Sequence, residues 1–175
     1  MTDEPKSWGG AIWQAANRNK DSRTKTYRKA FTPHALVYQE ALTRIRKTHT
    51  ILDYGCGKDA YWSNRLGSQG YTIDGIDLSR PDLTAHGEYD MVLISNVINV
   101  QHTILELDDT LTDILQHVAI GSTLIWNYPA SPRKLPFSNK EMTAHVLDRI
   151  WQEGYNHEDE TGTGSHRGVH VTKLI

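Results

Sequence analysis

A chain of 175 residues with 38% hydrophobic and 23% charged residues fits one globular domain large enough to bury its own core, and its mean hydropathy of −0.56 excludes a disordered polymer. The one cysteine, Cys56, excludes an internal disulfide framework and any multi-cysteine zinc site, and no apolar run approaches the roughly 20 residues of a membrane helix. The net charge of −2 hides an asymmetry, with ten Lys/Arg against four Asp/Glu over residues 1–50 and nine against seventeen over the rest.

The first ten residues, MTDEPKSWGG, lack the charged-then-apolar shape of a secretion signal, so the cytoplasm is the expected address. Residues 1–30 read as a basic arm and 31–175 as a single domain. Within the arm, Arg18, Lys20, Arg23, Lys25, Arg28 and Lys29 fall in twelve residues opposed only by Asp21. Such a cluster suits a phosphate backbone or another anion; a solvated terminus is the competing reading. Trp8 and Trp13 offer stacking surfaces for bases, or anchors for the arm.

Thr32-Pro33 reads as a helix start, a capping hydroxyl followed by proline in the first turn, with Val37, Tyr38, Ala41, Leu42 and Ile45 as the apolar stripe. Residues 50–54 (TILDY) predict a strand running into Gly55-Cys56-Gly57, and a helix follows from about Asp59 to Gly67–Gly70. Residues 71–77 (YTIDGID) predict a second strand and 90–95 (DMVLIS) a third, nearly all apolar as a strand covered on both faces should be. Apolar residues from Ile104 to Val118 recur at helical spacing. Residues 122–126 predict another strand, Ser138 to Glu141 a capping box opening a helix that stops at Gly154, and 155–160 with 168–174 an antiparallel pair. Strands alternating with helices imply a mostly parallel α/β sheet.

Chemistry concentrates at residues 51–58 (ILDYGCGK), followed by Asp77 twenty residues after Gly57. Glycines between a strand and a helix let backbone approach a ligand closely, and an acid closing the next strand accepts the hydroxyls of a ribose. No third glycine follows as a dinucleotide site requires, since the region reads Gly57-Lys58-Asp59-Ala60. Asp53 beside the glycines suits a ligand bearing an ammonium group better than one bearing phosphates. Only Leu78 to Glu88 separate Asp77 from Tyr89, too few for a helix and a returning strand, although eleven extended residues span about 36 Å.

The segment resembles the nucleotide-binding half of class I S-adenosylmethionine-dependent methyltransferases, whose first motif runs apolar-Asp-x-Gly-x-Gly. The resemblance implies a Rossmann-like sandwich with a mostly parallel sheet, the third strand missing or reduced, and an antiparallel C-terminal strand pair. It implies S-adenosylmethionine as cofactor, with Asp53, Tyr54, Gly55 and Gly57 along its methionine part and Asp77 on the ribose. Leu78, Ser95, Lys25 and Phe31 join them as cofactor-binding residues. Without a third strand, Asp82 or the backbone of residues 78–83 would have to meet the adenine. A narrower resemblance is to small methyltransferases associated with DNA phosphorothioation and their phage relatives, carried by residues 25–28 (KTYR), the DYGCG core and residues 95–100 (SNVINV).

By the same resemblance the acceptor is met by the loop after residue 95. Amino-methylating DNA enzymes carry a polar-Pro-Pro-aromatic motif there; this chain has Ser95-Asn96-Val97-Ile98, the polar residue without the prolines or the ring. Asn96, as an acceptor for the target's hydrogen, and His102, as general base, are the catalytic candidates. His102 starting the following helix is the plainer reading. Asn127-Tyr128-Pro129 is a candidate wall of the acceptor pocket. Cys56 lies inside the glycine loop, where packing suits it better than nucleophilic catalysis, and no histidine pair has metal spacing. The expected function is methyl transfer to an acceptor, DNA favoured. Aminocarboxypropyl transfer, cofactor cleavage and a non-catalytic nucleic-acid module are the alternatives.

Overall fold

The computed structural model describes residues 36–130, 133–161 and 168–175. The basic cluster with Lys25, Phe31 and the Thr32-Pro33 start lies outside them, as does His166. Among the described residues the order is α1 (Leu36–Leu42), β1 (Thr50–Tyr54), α2 (Tyr61–Ser68), β2 (Thr72–Ile76), β3 (Met91–Ile94), a 3-10 turn (Ile98–Val100), α3 (Ile104–Leu115), β4 (Thr123–Asn127), α4 (Asn139–Gln152), β5 (His157–Asp159) and β6 (Val169–Leu174). From β1 onward each strand and α-helix falls within a few residues of its sequence expectation, with α3 stopping three residues before Val118; the 3-10 turn was not foreseen.

The six strands run in the order β2-β1-β3-β4-β6-β5. β2, β1, β3 and β4 are parallel, while β6 returns antiparallel beside β4 and carries β5 on its outer edge. Side chains alternate along β1, so Ile51 packs with α1 and α2 on one face while Leu52 and Tyr54 pack with α3 and α4 on the other. Leu107, Leu111, Ile114 and Leu115 bury the apolar stripe of α3, each contributing roughly 1.5–3 kcal/mol. Thr103 caps α3 by accepting the Glu106 amide. The capping box of α4 is formed in both directions, Glu141 N to Ser138 Oγ at 3.2 Å and Ser138 N to Glu141 Oε2 at 2.7 Å.

Residues 77–90 hold neither helix nor strand, so β2 is the sheet edge and, as the short spacing implies, no further strand lies between β2 and β3 in the chain. The segment opens on two turns, Arg80 N donating to the Asp77 carbonyl at 2.9 Å and Leu83 N to the Arg80 carbonyl at 3.0 Å. Tyr89 secures its return, donating from its hydroxyl to Asp74 Oδ2 at 2.7 Å and from its amide to the His117 carbonyl at 2.9 Å. Every crossover that positions the parallel strands therefore brings their C-terminal ends, residues 55–57, 77 and 95–96, to one edge of the sheet.

Candidate cofactor site

The turn after β1 is drawn onto β2 by its own amides. Gly55 N and Cys56 N both donate to the Ile76 carbonyl, at 2.8 and 2.9 Å, and Gly57 N donates to Asp77 Oδ2 at 2.8 Å. Gly55 and Gly57 hold φ of 79° and 80°, a left-handed conformation glycine adopts without steric cost. Ala60 follows at φ 44°, ψ 42° with no side-chain cap for α2, and a Cβ there costs on the order of 1–2 kcal/mol. Backbone strain is thus stored in the turn that the sequence marks as a ligand cradle.

Asp77 organises the neighbouring turn as well. Its Oδ1 accepts from Ser79 N at 2.8 Å and Ser79 Oγ at 2.6 Å, and its carbonyl accepts from Arg80 N at 2.9 Å. Leu78 is half-buried within that turn. Arg80 then reaches across to the Lys58 carbonyl at 2.9 Å, so the segments after β1 and β2 are bound to each other by an acid and a guanidinium. Both oxygens of Asp82 accept from Arg80, at 2.8 and 2.7 Å, and this paired donor fork holds the Asp82 carboxyl below its usual range.

Asp53 and Tyr54 part company because successive strand residues face opposite sides. Asp53 is fully buried and accepts from Tyr38 at 2.7 Å and Ser63 at 3.0 Å, tying α1 and α2 beneath the loop. Burial pushes its carboxyl up to about 7 against those two hydrogen bonds, and the Asp77 charge adds to the rise. Tyr54 points to the other face and donates to Asp113 Oδ2 of α3 at 2.6 Å. The Tyr54 ring is buried in the core against α3. Cys56 is buried, its thiol pushed well up by desolvation, and packs as expected.

At the end of β3, Ser95 is buried and its Oγ has no hydrogen-bond partner among the described residues. Buried polar groups are nearly always paired, so this hydroxyl is open to a water or a ligand. Val97 stands directly over Gly55, where a Cβ would approach Val97 Cγ2 to 2.5 Å. The Asn96 backbone N–H donates to Asn127 Oδ1 at 2.6 Å and Asn127 Nδ2 donates to Asn96 Oδ1 at 3.0 Å, so the Asn96 oxygen already accepts one hydrogen bond from Asn127. His102 is exposed, and its backbone amide donates to Glu106 Oε2 at 2.9 Å. It sits immediately before the Thr103 cap, the plainer of its two readings.

Other residues of this edge were not singled out by the sequence. Tyr38 reads as one apolar member of a helical stripe, and Gly75 as a strand residue. A Cβ at Gly75 would lie 2.5 Å from Ser63 Oγ and 2.9 Å from Cys56 Sγ, so its bareness makes room for both. Tyr128, of the segment read as a loop turn or a candidate pocket wall, is buried; Arg133 lies 4.2 Å above its ring and donates to the carbonyls of Tyr128 and Pro129, closing the loop after β4.

Comparison with known proteins agrees with this geometry. The model of the family described as a methyltransferase domain matches residues 26–158, and no curated protein matches the sequence. A TehB-like S-adenosylmethionine-dependent methyltransferase of Corynebacterium glutamicum superposes with a TM-score of 0.58 at 16% identity, covering 93% of this chain and 100% of its own. A methyltransferase of Bacteroides fragilis, solved with S-adenosylhomocysteine, gives 0.55 at 14% identity over 100% of this chain and 96% of its own. An amino pentose methyltransferase of Micromonospora echinaspora, solved with S-adenosylmethionine, gives 0.53 at 13% identity over the full length of both chains. At such identities these structures share a fold with this chain.

Proposed function

The chain belongs to the methyltransferase-domain family, and from that premise we propose that it uses S-adenosylmethionine through the edge formed by residues 55–57, Asp77 and Ser95. The observation that carries the reading is the Asp77 carboxylate, joined to the Gly57 amide at 2.8 Å beside two glycines in the left-handed region. When bound, the cofactor supplies an electrophilic methyl group on a sulfonium centre. The protein's part is to hold and aim it. Asp77 would hold the ribose hydroxyls, the glycine turn would give close backbone approach, and Ser95 Oγ would offer a further hydrogen bond. Asp53 acts one layer below, fixing the turn through Tyr38 and Ser63. Alignment of the reacting atoms is the main catalytic demand of such a transfer.

Asp77→Ala should weaken S-adenosylhomocysteine binding by roughly 10- to 100-fold, the worth of one hydrogen bond or two to a charged acceptor. Calorimetry on the folded variant, checked by circular dichroism, decides this; unchanged affinity sinks the assignment. Products formed from labelled cofactor separate the alternatives: label on an acceptor means methyl transfer, label in free fragments means cleavage, and no turnover means a binding module.

The preference for DNA as acceptor rests on the six cations of residues 18–29, outside the described residues. Neutralising Lys20, Arg23, Lys25 and Arg28 together should weaken binding to duplexes of every sequence alike and flatten its salt dependence, because each phosphate contact releases a counterion. The rival role, with Lys25 and Arg28 reaching the cofactor carboxylate, predicts lost cofactor affinity with duplex binding intact. If neither affinity changes, the nucleic-acid reading loses its support.

A further inference from the structure

Among the described residues β2 is the edge strand of the sheet, so no neighbouring strand braces the turn that follows it. One side chain does so instead. Arg80 Nε and Nη2 donate to the two oxygens of Asp82, at 2.8 and 2.7 Å, and Nη1 donates to the Lys58 carbonyl at 2.9 Å. The first two bonds close the turn after β2 on itself, and the third fastens that turn to the glycine turn after β1. A second tie runs the opposite way, from the Gly57 amide to Asp77 Oδ2 at 2.8 Å. The two turns are therefore cross-linked at adjacent residues, Gly57 and Lys58, by an acid that accepts and a guanidinium that donates. A planar fork suits this place, because it engages both carboxylate oxygens and still has N–H groups for a carbonyl on another segment.

The Arg80 and Asp82 side chains are 31% and 61% exposed, and an ion pair so open to water adds little to global stability. Its consequence is local. A turn that has to be ordered when a ligand arrives subtracts that ordering from affinity, and a turn already held does not. Resting on the cofactor reading above, we propose that Arg80 is a positioning residue for the cofactor. Through the Lys58 carbonyl it holds the glycine turn against the Asp77 turn before the ligand arrives, and it acts through these segments rather than by touching the ligand.

The test uses the full chain and S-adenosylhomocysteine, with affinity read by calorimetry. Arg80→Ala should weaken binding about 3- to 10-fold, the worth of one hydrogen bond, while thermal unfolding stays as in the parent. Arg80→Lys should not restore affinity, since an ammonium keeps the charge and loses the fork. Arg80→Ala combined with Asp82→Ala should bind no more weakly than Arg80→Ala alone, because Asp82 acts only through Arg80. A further readout needs no ligand: on the cofactor-free chain labelled with nitrogen-15, amide hydrogen exchange at Gly57 should be faster in Arg80→Ala, with the α4 amides unchanged as reference. Full affinity in Arg80→Ala, recovery in Arg80→Lys, additive losses in the double variant or unchanged exchange at Gly57 each overturns the proposal. Failure of the parent chain to bind S-adenosylhomocysteine overturns the cofactor reading instead, and exchange at Gly57 then still decides whether Arg80 holds the turn.

Discussion

Asp53→Asn is expected to flatten the dependence of stability on pH between about 4 and 7. The carboxyl is held at about 7 in the fold, against an ordinary 3.8, chiefly because burial disfavours its charge. A group that binds its proton more tightly when folded stabilises the fold fully below the unfolded value, and that contribution is lost as pH rises through 7. The difference corresponds to on the order of 4 kcal/mol. Asparagine is uncharged throughout and keeps an oxygen for Tyr38, whose phenol donates at 2.7 Å; the Ser63 hydroxyl, at 3.0 Å, can turn to accept from the new amide. Thermal unfolding of the two proteins from pH 5 to pH 8 should converge, with the variant equal or more stable at the upper end. Parallel profiles would mean that Asp53 does not titrate in this range.

Gly55→Ala should cost about 2–4 kcal/mol, combining a left-handed backbone unsuited to a side chain with overpacking. The contact responsible is specific: the new Cβ meets Val97 Cγ2 at 2.5 Å while φ stays at 79°. The new side chain thus strikes the protein itself. Val97→Ala in the same molecule should recover the steric part and leave the backbone part, a coupling that a double-mutant cycle in denaturant measures. Additive costs would show that the two residues do not oppose each other.

The cofactor half was legible in the sequence because its determinants are local. Residues 51–57 carry a strand, a turn and two bare backbone positions in a row, and Asp77 closes the next strand. The capping box at Ser138 and Glu141 spans three residues and formed as read. The short passage from Asp77 to Tyr89 left no room for a helix and strand, so the missing third strand followed from chain length alone. The pairing of Asn96 with Asn127 was not legible, because it depends on β3 and β4 lying side by side.

What the sequence determined by itself was the order of elements, the sheet class and the position of the glycine turn, all set by periodicity, caps and spacing within a few residues. Tertiary structure alone decided which side chains do the work. Tyr38 reaches Asp53 across fifteen positions, Asn96 meets Asn127 across thirty-one, and Tyr54 meets Asp113 across fifty-nine. Neighbours on one strand were also sorted apart, Asp53 to one face of the sheet and Tyr54 to the other. Such pairings depend on strand register and crossover geometry, and a one-residue slip would exchange every face.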